Sequence, residues 1–187
     1  MDNIGTQEID TDRLVLRRFV EGDVNDAFIN WAGDEIVQND YCEPVYESVE
    51  DTLELVNKYI ASYEKLDYYR WAIDLKEGTR CVGQIAFFLV DSKNLFGEIE
   101  YCIGRRFQNR GYVTEAVKAV IKFGFEKIGF NRIQISHRNT NMASKRVIEK
   151  CGFQYEGNLR QFFYHEGSFI DRLYYSILKD EWQHMKF

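Results

Sequence analysis

Between residues 104 and 116 the chain reads Gly104-Arg105-Arg106-Phe107-Gln108-Asn109-Arg110-Gly111-Tyr112-Val113-Thr114-Glu115-Ala116. Amides, guanidiniums and a glycine crowd together immediately ahead of a segment with helical spacing. That segment places Val113, Ala116, Val117, Val120, Ile121, Gly124 and Ile128 on one face, and Gly129 supplies a stop. A helix start leaves its first N–H groups unpaired and carries partial positive charge. Gly111 lets the backbone turn sharply there. The combination suits an anion, a phosphate or pyrophosphate by its chemistry. No Gly-Lys-Ser/Thr step follows Gly111, which argues against a nucleotide-binding P-loop. Just upstream, Ile99, Tyr101 and Ile103 alternate with Glu98, Glu100 and Cys102, the period of a strand with two unlike faces.

The elements that must position this stretch follow in order. Residues 11–19 read as a first strand, with Leu14, Leu16 and Arg18 on one face. A short helix is expected from Asp23 to Trp31, and residues 33–47, which include Pro44, show no period and read as loop. Ser48-Val49-Glu50-Asp51 resembles a capping box for a helix reaching Lys65. Residues 69–75 and 82–90 form a hairpin turned at Glu77-Gly78. After the central strand and helix come a strand over 131–138, a helix over 142–151, and a hairpin of 153–164 with 169–178 turned at Glu166-Gly167. The order predicts a mixed α/β fold around one sheet, with residues 1–187 as a single domain.

Composition narrows the class. Hydrophobic residues make up 45% of the 187 and aromatics 16%, enough for a packed core. The net charge of −6 disfavours a nucleic-acid partner, which would want a basic face. No apolar run reaches membrane length and no basic-then-apolar leader is visible, so a cytoplasmic protein is expected. Cys42, Cys81, Cys102 and Cys151 are widely spaced, reading as free thiols rather than a disulfide frame or a zinc site.

Gln108-x-x-Gly111, Asn141-x-x-Ser144 and Lys150-Cys151-Gly152-Phe153 fall in that order, each at its place in the β/α alternation. In this the chain resembles the GNAT superfamily of N-acetyltransferases. Arg13-Leu14-x-Leu16-Arg17 and the Arg160 that follows Glu156-Gly157 resemble its ribosomal-protein-alanine acetyltransferase (RimJ/RimL-like) branch. The resemblance runs from about Thr11 to about Leu178. It implies acetyl-CoA as co-substrate, no metal, and an amine acceptor; self-association as a homodimer is left open. It also implies that the strand at 98–104 splays from the strand at 131–138 and that the cofactor enters the gap. Gln108, Asn109, Arg110, Gly111, Tyr112, Val113 and Thr114 would then wrap the pyrophosphate, with the Arg105 and Arg106 side chains nearby. Pantetheine would run along Tyr101, Cys102 and Ile103, and the N–H of Cys102 or Ile103 would polarise the thioester carbonyl. Asn141 would bond the pantetheine, and Ser144 would lie near the sulfur.

Acetylating an amine needs a proton acceptor, because an alkylamine is mostly protonated at neutral pH. Glu100 on the central strand is the first candidate, Glu98 on the same face the alternative and His137 the third. Cys102 reads as a small buried residue, since direct attack needs no covalent enzyme intermediate. A GNAT-fold module that binds acyl-CoA without chemistry is the alternative reading. The acceptor pocket is expected from residues 23–65 and the hairpin near 155–170. There Asp34, Glu35, Asp40, Glu43 and Glu47 mingle with Trp31, Tyr41 and Tyr46.

Overall fold

A computed structural model describes residues 1–165 and 167–185. One eight-stranded sheet runs through it in the order β1-β2-β3-β4-β5-β6-β8-β7. The strands are β1 (Ile9–Asp10), β2 (Leu14–Arg17), β3 (Tyr69–Leu75), β4 (Gly83–Asp91), β5 (Phe96–Ile103), β6 (Arg132–Arg138), β7 (Gln154–His165) and β8 (Ser168–Leu178). Neighbours are antiparallel except β5 and β6, which are parallel and joined by a crossover helix. That helix, α4 (Tyr112–Phe123), continues into a π-helical turn, Gly124–Ile128, ended by Gly129.

Two cores cover the two sheet faces. On one, Leu14, Leu16, Trp71, Ile85, Ile99 and Ile103 pack against Val113, Val117, Val120 and Ile121 of α4. Ile148 of α5 (Met142–Lys150) joins them. On the other face Ala72, Cys81 and Cys102 meet Phe19, Val24, Ala27, Trp31, Val37, Val56 and Tyr63. Those come largely from α1 (Val24–Ala27) with its π-helical extension Phe28–Ala32, from α2 (Glu35–Tyr41) and from α3 (Val49–Ser62). The period-two pattern of β5 thus divides it between two environments.

Some expectations need correction. Residues 33–47 are not all loop, because α2 forms within them. Asp34 caps it by accepting from the Ile36 and Val37 N–H groups at 3.1 and 3.3 Å. Gln38 hides the period: it is fully buried among apolar neighbours and donates to the Trp31 carbonyl at 2.9 Å. The first strand is shorter than expected, ending at Arg17, and Arg18 leaves it to donate to the Thr6 carbonyl at 2.9 Å. The helix expected to reach Lys65 ends at Ser62. In the last hairpin, Glu166 lies outside the described residues. A short α6 (Lys179–Gln183) follows β8. Among the described residues no helix is long and apolar enough to cross a membrane.

The sheet is not zipped along its whole length. β5 and β6 pair from Phe96 with Arg132 only as far as Ile99 with Ile135. Beyond that point both strands continue without pairing to each other. At the same level the β4–β5 register shifts between Phe87 and Leu89, leaving Phe88 as an extra residue opposite the Ile99–Glu98 step. Such a bulge bends its strand and increases local twist. It sits where β5 parts from β6.

Candidate active site

The gap between the parted strands opens into a cleft of about 520 Å³. Residues 99–103 of β5 form one wall and residues 135–138 of β6 another. The loop before α4, the start of α5 and residues 40–43 close its ends. By alternation from Gly104, whose N–H donates to the Val82 carbonyl at 2.9 Å, the Cys102 N–H turns toward β4. The N–H groups of Tyr101 and Ile103 therefore face the open side. Of the two donors expected for the carbonyl, only Ile103 is directed to the cleft.

The loop into α4 is curled by two left-handed residues, Asn109 at φ 60° and Gly111 at φ 81°. Turns of this kind point successive N–H groups into one concavity, a fit for anions. The first helical N–H with a backbone acceptor is that of Glu115, which reaches the Gly111 carbonyl at 3.0 Å. The loop is braced from outside. Glu115 accepts from Thr11 Oγ1 and Arg13 Nε, both at 2.7 Å, and Arg13 Nη1 donates to the Arg110 carbonyl at 3.0 Å. Gln108 Nε2 donates to the Ile103 carbonyl at 3.4 Å, tying the loop to the end of β5.

Most of the expected site residues come together here. Glu100, Tyr101, Cys102, Ile103, Gln108, Asn109, Gly111, Tyr112, Val113, Thr114, His137, Asn141 and Ser144 all line the cleft. Arg110 and Glu98 are not among its lining residues. Arg105 and Arg106 are also turned elsewhere, toward Asp34 Oδ2 at 2.6 Å and Asn30 Oδ1 at 2.5 Å. Cations reach the cleft instead from Arg146 and Lys150, four residues apart on one face of α5. Their spacing was readable; their placement beside the cleft was not. Arg138, Phe163 and Arg172 line it as well, brought by β6 and the last hairpin.

The candidate bases differ sharply in surroundings. Glu98 is 2% exposed, and its carboxylate accepts from Arg172 Nη2 (2.7 Å), Gln134 Nε2 (2.7 Å) and Ser136 Oγ (3.0 Å). It is a buried structural anion. Replacing Arg172 by Met should therefore destabilise the fold by about 3–5 kcal/mol, the cost of stranding a buried charge. A thermal melt should show a Tm drop of roughly 10 °C, much of it recovered when Glu98→Gln is added.

His137 is 5% exposed, with Nδ1 donating to the Arg138 carbonyl at 2.6 Å and Nε2 3.3 Å from the Tyr175 hydroxyl. Burial holds its pKa below the usual histidine value, so the ring stays neutral with both nitrogens engaged. Glu100 differs from both. Its Oε1 accepts from Arg70 Nη2 at 2.6 Å, and among the described residues its Oε2 has no hydrogen-bond partner. Arg70 itself is fixed by Gln84 Oε1 and the Tyr68 hydroxyl, and lies 4.4 Å over the Tyr59 ring. Glu43 also lines the cleft. Desolvation and then repulsion from Glu100 push its carboxyl above the usual glutamate range. Burial and then the Glu100 carboxylate likewise push the Tyr41 phenol up.

Asn141 caps α5, its Oδ1 accepting from the Ser144 N–H at 2.9 Å. Ser144 Oγ lies 2.8 Å from the Tyr101 hydroxyl. Cys102 is buried in the second core, with its thiol pushed up to about 12 by burial, so it remains protonated.

A cleft between two parted parallel strands, with an anion-shaped helix start at one end and carboxylates at the other, defines a coenzyme-A-type acyltransferase. The model of the acetyltransferase (GNAT) domain matches residues 13–154. The N-acetyltransferase YoaA of Bacillus subtilis, itself uncharacterized, is 32% identical over 171 residues, 91% of this chain and 96% of that one. A GNAT-family acetyltransferase structure from Bacillus anthracis superposes with a TM-score of 0.82 at 28% identity, covering 94% of this chain and all (100%) of that one. In fold the chain is also similar to RimL, the ribosomal L7/L12 α-N-protein acetyltransferase, solved with coenzyme A. The TM-score is 0.81 at 21% identity, over 94% of this chain and 99% of that one. The chain belongs to the GNAT acetyltransferase family. It is an N-acetyltransferase with acetyl-CoA as its co-substrate.

Proposed function

We propose that the chain, read as one domain over residues 1–187, acetylates a primary amine by direct attack within this cleft. The observation that carries the reading is the free edge of β5 beyond Ile99, beside the curled start of α4. Pyrophosphate sits against the N–H groups of residues 110–114, with Arg146 and Lys150 supplying positive charge across from them. The pantetheine arm adds to β5 as a strand would, and the Ile103 N–H polarises the thioester carbonyl. Asn141 is committed to its cap, so its pantetheine contact comes from the remaining amide atoms. Glu100 takes the amine proton through Oε2, directly or through one water. Asp40 and Glu43, at the same end of the cleft, favour an acceptor that arrives as a cation.

The attacking nitrogen bonds to the carbonyl carbon, the C–S bond breaks, and its electron pair leaves on sulfur. An ammonium acceptor loses two protons in all: one passes by way of Glu100 to solvent, and the other balances the one that converts thiolate to thiol. The test is acetyl-CoA with a panel of primary amines, followed by thiol release and product mass. Acetyl-CoA at about 100 Kd should stabilise the fold by about 2.7 kcal/mol, and at least one amine should release thiol. Stabilisation without thiol release from any amine would instead favour an acyl-CoA-binding module. Absence of stabilisation would remove the proposed cofactor site.

A further inference from the structure

Arg138 of β6 and Arg172 of β8 are direct partners across their antiparallel pair, so two guanidiniums rise side by side from one sheet face. Like charges so placed oppose each other, and little water reaches them: Arg138 is 4% exposed and the Arg172 side chain 16%. Both line the cleft. A guanidinium carries five N–H donors. Arg138 spends those of Nη2, on the Asn39 carbonyl and, at 3.3 Å, on Asp40 Oδ1. Its Nε is enclosed without a partner, and its Nη1 has none among the described residues. Arg172 spends Nε on Ser136 Oγ at 2.8 Å and Nη2 on Glu98 Oε1 at 2.7 Å, which leaves Nη1. The Phe162, Phe163 and Tyr174 rings, centred 4.9, 5.5 and 4.7 Å from its guanidinium carbon, fix that plane. Glu98 pairs with Gln134, so by alternation Glu100 shares a sheet face with Arg138.

We propose that Arg138 and Arg172 form a carboxylate-binding subsite, and that the acceptor is a small molecule carrying both the amine and a carboxylate. This rests on the proposed attack of the amine beside Glu100. Unspent donors on two neighbouring guanidiniums suit a group that only accepts and has two oxygens, one for each Nη1. Asp40 and Glu98 already balance the two charges pairwise, so a bare anion gains little there. A zwitterion gains at both ends. Its ammonium meets the carboxylates of Asp40, Glu43 and Glu100, and its carboxylate meets the arginines, all of them lining the one cleft. The cleft's 520 Å³ also has to take the acetyl-pantetheine arm, which favours a small acceptor over a polypeptide.

Matched pairs of amines test this: α-, β- and γ-amino carboxylates, each beside its carboxamide, with acetyl-CoA and thiol release as the readout. Wild type should favour at least one acid over its amide by about 10–100-fold in kcat/KM, the range of hydrogen bonds to charged groups. Basicity cannot produce that preference, because a nearby carboxylate raises the amine pKa and keeps more of it protonated. Arg138→Met should bring the ratio close to one, chiefly through KM for the acid. Arg138→Lys should keep part of it, since an ammonium retains the charge without the planar fork. Arg138 is the position to vary because Arg172 also neutralises buried Glu98. Any loosening of α2 through the lost Asn39 contact would slow acid and amide alike and leave the ratio intact. Equal turnover of acid and amide by wild type, or a ratio unmoved in Arg138→Met, would overturn the subsite and leave the acetyl-transfer reading standing. A preference for acidic peptides over every amino carboxylate would overturn the small acceptor. No thiol release from any amine would overturn the acetyl-transfer reading and this inference with it.

Discussion

Glu100→Gln is expected to lower kcat by about 10²–10⁴-fold, the usual contribution of a positioned general base. The Kd for acetyl-CoA should stay within error. The substitution is nearly isosteric. Gln keeps an oxygen for Arg70, which now holds Oε1 at 2.6 Å, so the surrounding network of Gln84, Tyr68 and Tyr59 has no cause to move. What is lost is the ability of the second oxygen to accept a proton. The loss should be smallest at high pH, where a growing fraction of the amine is already deprotonated. A pH profile of kcat with one accepted amine reads this directly. Wild-type turnover across the whole profile would take the role from Glu100 and leave Glu43, a cleft-lining carboxylate with a raised pKa, as the next base to test.

Gly111→Trp should weaken acetyl-CoA binding about 10–100-fold with much less effect on the fold. Gly111 has φ 81°, where a side chain costs about 1–3 kcal/mol in strain. A Cβ there would also stand 3.4 Å from Arg13 Nη2, the guanidinium that braces the loop through the Arg110 carbonyl. Relieving that strain means uncurling the turn that gathers the N–H groups, and the indole would cover what remained. Gly78→Asn is the matching control. It lies at φ 103° in the β3–β4 turn with nothing within 4 Å of the added Cβ, so it strains backbone away from the cleft. Isothermal titration with acetyl-CoA should separate the two: weakened for Gly111→Trp, unchanged for Gly78→Asn. Equal affinity in both would mean the diphosphate does not sit at this turn.

The elements that line the candidate cofactor cleft were largely legible from local pattern. A period of two that gives way to 3.6 across Gly111 is a short-range signal, and the anion site at a helix start depends on neighbours in sequence. The acceptor side was not. The helix α2 carries buried Gln38 on its inner surface, so no apolar stripe marks it. Its worth depends on the Trp31 carbonyl, which the previous helix supplies. Arg105 and Arg106 look like phosphate ligands in sequence, yet Asp34 and Asn30 hold them from the other side of the loop.

By itself, then, the sequence determined most of the elements and their order, α2 excepted, and the strand-turn-helix shape proposed to take an anion, because those follow from backbone geometry and spacing within a dozen residues. Only tertiary structure decided which of the two central-strand carboxylates is fully engaged by partners. Glu98 and Glu100 are two residues apart on one face of one strand. Arg172, brought by β8, joins Gln134 and Ser136 around the first, while Arg70, brought by β3, holds one oxygen of the second and the other has no hydrogen-bond partner among the described residues. The charge of a buried carboxylate is set by the partners that surround it, and those partners lie up to 74 residues away in the chain.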